Sequence, residues 1–414
     1  MVFDPFPPFE AGADPRSNTV RPCGEYYGEK SASTRFHSPR GRGKEEGGET
    51  RQFLSSGHGC DWREMGGVEG AAAGSRGIPP PSLSHGLPFR VFYARKCNPD
   101  ILLTRVLHAL GASFDCASMA EISEVLDAGI GADRIIFANT HKCSRLILRI
   151  AVGDPSAGCN FDDKFGADPN HEVPGLLRMA RELGMGIKGV SFHVGSQCRD
   201  KGAYRRAVKM AKEVVEMGRK LDHPMEIIDI GGGFPGREEE GQPTFREVSE
   251  VLRGALKEFA PADSGLRIVA EPGRFFATST TTLATQAITT KNRTTSEGSP
   301  MQHVIMDQGI YTYFKNRLFE GGHRPGAPIA PRPGPLLPTK LWGPTCDSLD
   351  VVEEHAAMSP IHNGDFLAFP DIGAYSTGLA SPFNGFGLPE PLYLMSEEMW
   401  RRLENEFRKD EKCK

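Results

Sequence analysis

The sequence predicts a β/α barrel followed by an antiparallel β domain, and three observations support this fold class. From Phe89 to Glu271, strands alternate with helices of about 10 to 15 residues, an order typical of a parallel barrel. After Phe275 the helices give way to short runs rich in Thr and Val, which favour an antiparallel sheet. Residues 1–88 hold 15 Gly and 10 Pro without an apolar period, so we expect a disordered leader. The expected domain ranges are 1–88 for the leader, 89–274 for the barrel and 275–414 for the β domain.

The individual elements follow from hydrophobic periodicity and from turn residues. The expected barrel strands are 91–94, 112–116, 134–138, 146–152, 187–194, 225–230 and 266–271. The expected barrel helices are 100–110, 121–128, 174–183, 204–221 and 245–259. In the second domain we expect strands at 275–290, 303–306, 366–369 and 392–395, a Pro-rich mobile loop at 321–340 and a closing helix at 396–408.

Composition excludes several classes of function. The net charge of −4 and the pI near 6.3 do not favour binding to nucleic acid or to a membrane surface. No apolar run reaches the roughly 18 residues of a membrane span. The nine cysteines occur singly, without metal-like spacing, so we expect free thiols, no metal and a cytoplasmic location.

Lys96 follows the first barrel strand and is the first candidate for catalysis. A lysine at a strand end can point its amine into the site that the sheet surrounds. Desolvation and a nearby cation would lower its pKa there and make the amine a nucleophile for a carbonyl group. Taken alone, the same residue is more often a lysine whose stem packs while its charge stays in water.

Three motifs at the ends of later strands favour the catalytic interpretation of Lys96. They are 190–196 with His193, 229–236 with three consecutive glycines, and 270–274 with Glu271 and Arg274. The glycines let backbone N–H groups approach an anion, and an arginine holds phosphate with a fork of donors. An acid can bind a pyridinium nitrogen, and a histidine can lie on the ring. Pyridoxal phosphate is the cofactor that needs this set of groups.

Seven segments then identify a resemblance to a known family. They are 92–98 (FYARKCN), 114–118 (FDCAS), 189–195 (GVSFHVG), 229–236 (DIGGGFPG), 270–274 (AEPGR), 342–350 (WGPTCDSLD) and 383–386 (FNGF). In this order they resemble eukaryotic ornithine decarboxylase, a group IV pyridoxal-phosphate-dependent decarboxylase with an alanine-racemase-like barrel. The resemblance runs from about Phe89 to Trp400. It implies a homodimer with two active sites shared between the subunits.

The resemblance also assigns roles to individual residues, which we state as expectations. The expected cofactor contacts are Lys96, Asp115, Arg149, His193, Ser196, Gly231, Gly232, Gly233, Glu271, Gly273, Arg274 and Tyr375, with Glu121 nearby. The expected catalytic residues are Lys96, His193, Glu271 and Cys346. The expected substrate contacts are Asp347, Glu320 and Phe383. Cys346 and Asp347 would come from the other subunit, the thiol to protonate the substrate carbon and the carboxylate to bind the distal amine.

The chain departs from the family pattern at four places. Few residues separate 134–139 from 146–149, so one β/α unit of the barrel is expected to be absent. The Gly/Pro-rich leader replaces the usual first strand and helix, and Asn139-Thr-His-Lys142 replaces Asn-Pro-Cys-Lys. A skipped or misread exon would account for these differences. Glu320 stands where the family usually has Asp, which is one methylene shorter.

The implied activity is decarboxylation of ornithine to putrescine and CO₂, with no nucleic-acid or membrane partner. Because Glu320 alters the expected amine site, arginine and lysine remain alternative substrates. A further alternative is an inactive homologue that binds a regulatory protein, although the lysine, thiol and phosphate motifs are all retained. An amino-acid racemase is disfavoured because it needs a second base where Cys346 and Asp347 stand.

Overall fold

The computed structural model describes residues 89–137, 146–239, 241–294, 298–320 and 325–395, together with Trp400 and Glu404. The side chains of Phe89, Phe319 and Glu320 lie outside this description. The leader expected at 1–88 also lies outside it, as does the closing helix expected at 396–408 apart from two residues. Within the described part, no helix is both long and apolar enough to cross a membrane.

Seven parallel strands form the first sheet, and helices connect most of them. The strands are β1 Phe89–Ala94, β2 Ser113–Cys116, β3 Ile135–Phe137, β4 Leu146–Arg149, β5 Ile187–Ser191, β6 Ile227–Asp229 and β7 Arg267–Ala270. The helices are α1 Ile101–Ala109, α2 Met119–Asp127, α3 Val173–Glu182, α4 Gly202–Lys220 and α5 Phe245–Phe259. The strand order is β3-β2-β1-β7-β6-β5-β4. This curled parallel sheet confirms the predicted barrel class, and each predicted barrel strand and helix is present, most of them with shifts at their ends.

The sheet is open between β3 and β4. These two strands are its edges, and within the described residues they do not pair with each other. Residues 138–145, which join them along the chain, are eight in number, whereas a crossover between parallel strands takes a dozen or more. An open cavity of about 540 Å³ lies beside β4, lined in part by Leu176 and Met179 of α3. The architecture therefore agrees with the expected absence of one β/α unit.

Local sequence explains why the helices begin where they do and which face they bury. Thr244 caps α5: its hydroxyl accepts the backbone N–H of Glu247 at 3.2 Å, and the Glu247 carboxylate accepts that of Thr244 at 2.9 Å. On α4 the buried side recurs every three to four residues and packs on the sheet. Its buried residues are Ala203, Tyr204, Ala207, Val208, Ala211, Val214, Val215 and Gly218.

The second sheet is mixed rather than wholly antiparallel. Its strands are β8 Leu283–Thr294, β9 Pro300–Met306, β10 Ala327–Pro328, β11 Leu337–Trp342, β12 Val351–Met358 and β13 Phe366–Phe369, in the order β10-β13-β8-β9-β11-β12. The β9/β11 pair is parallel, and the remaining pairs are antiparallel. A separate apolar core supports this sheet and includes Met306, Phe314, Leu341 and Phe369.

Several expectations for this second region were wrong. The segment after β7 forms a short helix, α6 Arg274–Ala277, before β8 begins. The expected mobile loop at 321–340 contains β10 and the start of β11 within its described residues, and β11 and β12 were not predicted. Residues 392–395 are not a strand, and Leu392 and Leu394 are exposed. A second helix of one turn, α7 Arg317–Glu320, follows β9.

Two hydrogen bonds join the end of β1 to the segment after β13. The side-chain amide of Asn98 donates to the carbonyl of Gly373 at 3.0 Å. The backbone N–H of Tyr375 donates to the carbonyl of Cys97 at 2.8 Å. These bonds hold the turn that carries Lys96 against a segment almost 280 residues later in the sequence.

Candidate active site

Four predicted site residues meet at the carboxyl ends of neighbouring strands. Lys96 lies in the 3-10 turn 95–97 after β1, and Asp115 lies near the end of β2. Glu271 follows β7, and His193 follows β5. Between these strands β6 ends in Asp229, which the sequence analysis did not single out. We call these five residues, Lys96, Asp115, His193, Asp229 and Glu271, the strand-end cluster.

An ion pair links Lys96 to Asp115. The Lys96 amine lies 3.3 Å from Oδ2 of Asp115, whose side chain is 1% exposed, whereas that of Lys96 is 51% exposed. The negative charge of Asp115 raises the pKa of Lys96 despite an opposing effect of desolvation. The expected lowering of this pKa is therefore wrong for the chain alone, because carboxylates rather than a cation surround the amine.

Burial also raises the pKa of each carboxyl group in the cluster. The pKa of Asp115 reaches about 7 because burial and the nearby Glu271 carboxyl outweigh the attraction of Lys96. Asp229 and Glu271 hydrogen-bond to each other, and burial raises the pKa of both. Asp229 additionally accepts the backbone N–H of Gly231 at 2.9 Å, which favours its ionised form. The proton of this acidic pair consequently resides on Glu271, which donates to Asp229.

His193 is neutral in this environment. Burial, and then the positive charges of Arg149 and Lys96, lower its pKa to about 3. Its Nδ1 accepts the backbone N–H of Gly195 at 3.0 Å, which fixes the ring and leaves the proton on Nε2. Phe161 meets the ring edge to face with 5.0 Å between ring centres, a contact that the sequence did not reveal.

Arg149 and Glu121 flank the cluster. Arg149 ends β4 and lies 5.0 Å from the centre of the Phe165 ring, and burial lowers its pKa. Glu121 accepts the backbone N–H of Ala117 at 2.6 Å and so helps to cap α2. Its charge also contributes to the raised pKa values of Lys96 and Asp115. Arg149 therefore belongs to the site, whereas Glu121 is primarily part of a helix cap.

The glycine run after β6 forms a close backbone turn beside the cluster. Gly231 and Gly233 have φ values of +64° and +89°, a region that side chains rarely adopt. A Cβ on Gly231 would lie 2.2 Å from the carbonyl oxygen of Phe192. A Cβ on Gly232 would lie 3.0 Å from Nε2 of His193, so only hydrogen fits at these positions.

Arginine and hydroxyl groups face this turn. The guanidinium of Arg274 donates to Oγ of Ser196 at 3.4 Å and lies 5.0 Å from the centre of the Tyr375 ring. Gly273, which precedes Arg274, has no room for a side chain, because a Cβ would lie 2.9 Å from that of Cys97. The structure thus brings Ser196, Arg274 and Tyr375 together beside Gly273, where the guanidinium and the hydroxyl are groups suited to an anion.

Three further predicted residues, Cys346, Asp347 and Phe383, form a second group together with Tyr311 and Asn384, which were not predicted; we call these five residues the loop cluster. The Tyr311 hydroxyl donates to the Asp347 carboxylate, which lowers the pKa of Asp347. The Tyr311 ring tilts onto Phe383 with 4.2 Å between ring centres. The Cys346 thiol donates to Oδ1 of Asn384 at 3.7 Å. Within the described part of one chain, these residues do not contact Lys96.

The loop cluster contains one residue that the sequence did not reveal, and one predicted residue near it has an undescribed side chain. Tyr311 was not predicted from the sequence, although its place shortly before Glu320 in the same loop could have suggested it. The backbone of Glu320 ends α7, but its side chain lies outside the described residues. The predicted role of Glu320 therefore stays a prediction.

The match to a known family covers the first sheet. The chain matches the family described as "Pyridoxal-dependent decarboxylase, pyridoxal binding domain" in two stretches, residues 82–145 and 139–278. The two stretches overlap at residues 139–145, within the short connection between β3 and β4. The sheet is open at this same place, because β3 and β4 are its two edge strands.

Individual relatives extend the similarity into the second sheet. The chain is 41% identical over 355 residues to ornithine decarboxylase of Caenorhabditis elegans, covering 75% of this chain and 83% of that protein. It is 36% identical over 354 residues to antizyme inhibitor 2 of Xenopus laevis, covering 76% and 77%. Among solved structures, the arginine decarboxylase of Paramecium bursaria Chlorella virus matches with a TM-score of 0.68 and 34% identity, over 74% of this chain and 89% of that one.

Proposed function

Because this chain belongs to the pyridoxal-dependent decarboxylases, a family of carboxy-lyases, we propose that it converts L-ornithine to putrescine and CO₂. The observation that carries the proposal is the pairing of the Lys96 amine with Asp115 at 3.3 Å, next to the protonated Glu271 and the glycine turn. We further propose residues 89–274 as the cofactor-binding domain and residues 275–414 as the domain that completes the substrate site.

The strand-end cluster fits pyridoxal phosphate as its cofactor. The buried Oδ1 atom of Asp115 has no hydrogen-bond partner within the described residues, so a polar atom of a ligand can be accommodated there. The turn at Gly231 to Gly233 presents backbone to an anion, and Arg274 adds a positive charge beside Ser196. An amine, an acid and groups suited to an anion thus lie at the carboxyl ends of neighbouring strands.

In this proposal, pyridoxal phosphate when bound supplies the sink for the electron pair that departing CO₂ leaves behind. Lys96 would hold its aldehyde, Glu271 its ring nitrogen and His193 its ring. The phosphate would be held by Ser196, Gly231, Gly232, Gly233, Gly273, Arg274 and Tyr375. Asp115 and Arg149 would complete the contacts at the ring.

The chain's own groups account for the proton movements that the reaction needs. Lys96 must lose a proton before its amine can attack a carbonyl, and Asp115, 3.3 Å away, holds the amine in place while its charge favours the protonated form, so the proton has to leave Lys96 when the cofactor enters. Glu271 carries the proton of the Asp229 pair and can share it with a ring nitrogen. His193 is neutral and contributes no competing positive charge to the site.

The loop cluster supports a basic amino acid as the substrate. Asp347 is ionised and its orientation is fixed by Tyr311, while the Phe383 ring lies beside it. A carboxylate flanked by aromatic faces suits a substrate ammonium group. Ornithine is favoured by the 41% identity to the nematode ornithine decarboxylase. Arginine and lysine remain the alternatives, since Glu320 would alter the distance at which a distal cation is recognised.

We propose that the two clusters act together across a homodimer interface. Cys346 and Asp347 would then reach the strand-end cluster of the partner subunit, where the Cys346 thiol would deliver a proton to the substrate carbon. The exposure of Cys346, Phe383 and Asn384 in the single chain supports this arrangement. A closed two-fold interface would bury these residues once in each of two identical sites.

The alternative is a regulatory homologue without activity, which the similarity to antizyme inhibitor 2 keeps open. One experiment separates the two. The purified full chain is incubated with pyridoxal phosphate, treated with borohydride to make the lysine link permanent, and mapped by mass spectrometry, while CO₂ release from labelled ornithine, lysine and arginine is measured in parallel. We expect cofactor on Lys96 and fastest release from ornithine. Cofactor on another lysine, or no CO₂ release from any of the three, would contradict the proposal.

A further inference from the structure

Asp154 is a buried carboxylate outside the clusters described above. It lies in the loop after β4, and its side chain is 2% exposed. Its oxygens accept five hydrogen bonds. Oδ1 accepts the backbone N–H of Ser156 at 2.8 Å and its hydroxyl at 2.7 Å. Oδ2 accepts the backbone N–H groups of Arg199 at 3.0 Å and Asp200 at 2.9 Å and the thiol of Cys198 at 3.4 Å.

These bonds join two segments, 154–159 and 194–200, with Ser196 between their anchor points. The backbone N–H of Asp154 donates to the carbonyl of Val194 at 2.8 Å. Ser196 and Cys159 exchange two backbone hydrogen bonds, at 3.0 and 3.2 Å. The Ser196 backbone is therefore held on both sides by the loop that Asp154 organises.

The backbone around Ser196 needs such support. Its neighbours Gly195 and Gln197 both have positive φ, +111° and +53°. Gln197 is not a glycine, so its backbone is strained in this region and keeps it only when surrounding contacts impose it. Asp154 supplies such contacts on both sides of the strained turn. Its carboxylate binds the backbone N–H groups of Arg199 and Asp200, and its own N–H binds the carbonyl of Val194.

The state of Asp154 fits this role. Burial would raise its pKa, but the hydrogen bonds from Ser156, Asp200 and Cys198 outweigh burial and lower it to about 2. The group is therefore a carboxylate at neutral pH, an acceptor for all five donors. An asparagine at this position would replace one acceptor oxygen by an NH₂ group. That group cannot accept the hydrogen bonds that the oxygen accepts.

We infer that Asp154 is a positioning residue for phosphate recognition: it shapes the Ser196 turn beside Arg274 and so sets the preference for phosphorylated over unphosphorylated pyridoxal. This inference rests on the proposed function, because it takes pyridoxal phosphate as the ligand. Asp154 itself does not touch the ligand. Its effect is therefore expected in binding selectivity rather than in the overall fold.

The test compares the affinities of the cofactor-stripped full chain for pyridoxal phosphate and for pyridoxal, measured by quenching of protein fluorescence. Asp154→Asn should weaken the binding of pyridoxal phosphate about tenfold and change that of pyridoxal less than twofold. Asp163→Asn is the matched control, because it removes the same charge from an exposed position of the same loop. Equal weakening of both ligands, or no change in either, would overturn the inference.

Two further variants keep the test decisive if Asp154→Asn folds poorly. Ser156→Ala removes one of the five donors and should shift the selectivity in the same direction by about twofold to threefold. In a Ser196→Ala background, Ser156→Ala should change selectivity by much less, because the group through which Asp154 acts is already gone. If Ser156→Ala changed the selectivity by the same factor in the Ser196→Ala background, the inference that Asp154 acts through Ser196 would be wrong.

The same measurements distinguish the failure of this inference from failure of the proposed function. Wild-type chain that binds neither ligand would overturn both. Wild-type chain that prefers pyridoxal phosphate, with an unchanged preference in the Asp154→Asn and Ser156→Ala variants, would overturn only the role of Asp154.

Discussion

The strand-end cluster and the loop cluster differ in how completely the single chain builds them. In the strand-end cluster, Asp115 and Asp229 are buried, the carboxyl groups have raised pKa values, and His193 is fixed by a backbone hydrogen bond. In the loop cluster, Cys346 is exposed, and the Phe383 side chain is 43% exposed. The first cluster is organised for a cofactor, whereas the second has side chains of the right chemistry without the burial that catalysis needs.

This difference supports the proposal that a partner subunit completes the loop cluster. Burial perturbs the groups of the strand-end cluster within one chain, because rigid strands converge there and exclude water. The loop cluster is carried by the segments after β9, β11 and β13, in which Cys346, Phe383 and Asn384 are exposed. A partner subunit would provide the apolar and charged surroundings that the loop cluster lacks.

The strongest test restores activity by mixing two inactive variants. Lys96→Ala and Cys346→Ala should each lose activity by at least about a hundredfold, because each removes a group that handles a covalent bond or a proton. After subunit exchange, about half of the dimers should be mixed, each with one intact site, so that activity recovers to about a quarter of wild type.

The control for this experiment mixes Lys96→Ala with Asp115→Ala. Both residues belong to the strand-end cluster, so no mixed dimer would contain an intact site and activity should stay low. If Lys96→Ala mixed with Cys346→Ala also stayed inactive, the two clusters would have to combine within one chain, and the division between them would be wrong.

The second prediction concerns stability and pH in the strand-end cluster. Burial raises the pKa of Glu271 to about 8 in the folded chain, above its unfolded value. Its contribution to stability is therefore complete at pH values below the unfolded pKa and is lost as the pH rises through about 8. In cofactor-free protein, Glu271→Gln should remove this loss and raise the free energy of unfolding at pH 8 by on the order of 2 kcal/mol.

Denaturant unfolding between pH 5 and 8 measures this effect. Glu258→Gln is a suitable control, because Glu258 is an exposed residue of α5 whose ion pair with Arg205 is open to solvent. A pH dependence of stability that is the same in wild type and Glu271→Gln would mean that Glu271 is already ionised in the folded chain.

The third prediction concerns substrate choice at the loop cluster. Glu320→Asp should change the relative kcat/KM among ornithine, lysine and arginine by about tenfold, or about 1.4 kcal/mol, because a shorter carboxylate moves the charge that reads the distal amine. Steady-state kinetics on the three amino acids gives the comparison. An unchanged ranking would leave Asp347 as the determinant of specificity.

The smallest expected effect tests whether the two clusters act independently. Tyr311→Phe removes the hydroxyl that donates to Asp347 and should raise KM about fivefold, about 1 kcal/mol, through looser placement of the carboxylate. The affinity for pyridoxal phosphate should not change, since Tyr311 belongs to the loop cluster. A matched loss of cofactor affinity would show that the clusters are coupled within one chain.

Most of the first sheet could be predicted because its signals are local. The predicted helix at 245–259 agrees with α5 at both ends, where Thr244 and Glu247 form a capping box that can be read from four neighbouring residues. The second sheet was harder to predict. β11 begins beside a Pro-rich run, and β12 contains Glu353, Glu354 and His355, so neither has a clear apolar pattern. Both strands form because they pair with each other and with β9.

In the candidate site, too, only the residues with local sequence signals could be predicted. The motifs identified Lys96, His193, Glu271 and the glycine turn from residue types and spacing alone. Asp229, Tyr311 and Asp154 were missed, because their importance comes from the groups that they meet rather than from their own sequence neighbourhood. The predicted strand at 392–395 failed for a related reason: four apolar residues form a strand only where another strand accepts their hydrogen bonds.

By itself, the sequence determined the alternation of strands and helices, the motifs at the strand ends and the chemical types of the candidate groups. Only the tertiary structure decided that Asp115, 19 residues from Lys96, raises rather than lowers the pKa of that amine. It also decided that Asp229 and Glu271 share a proton and that β3 and β4 remain the edges of an open sheet. Periodicity and capping act over a few residues, whereas pKa values and strand pairing depend on distances between residues far apart in the chain.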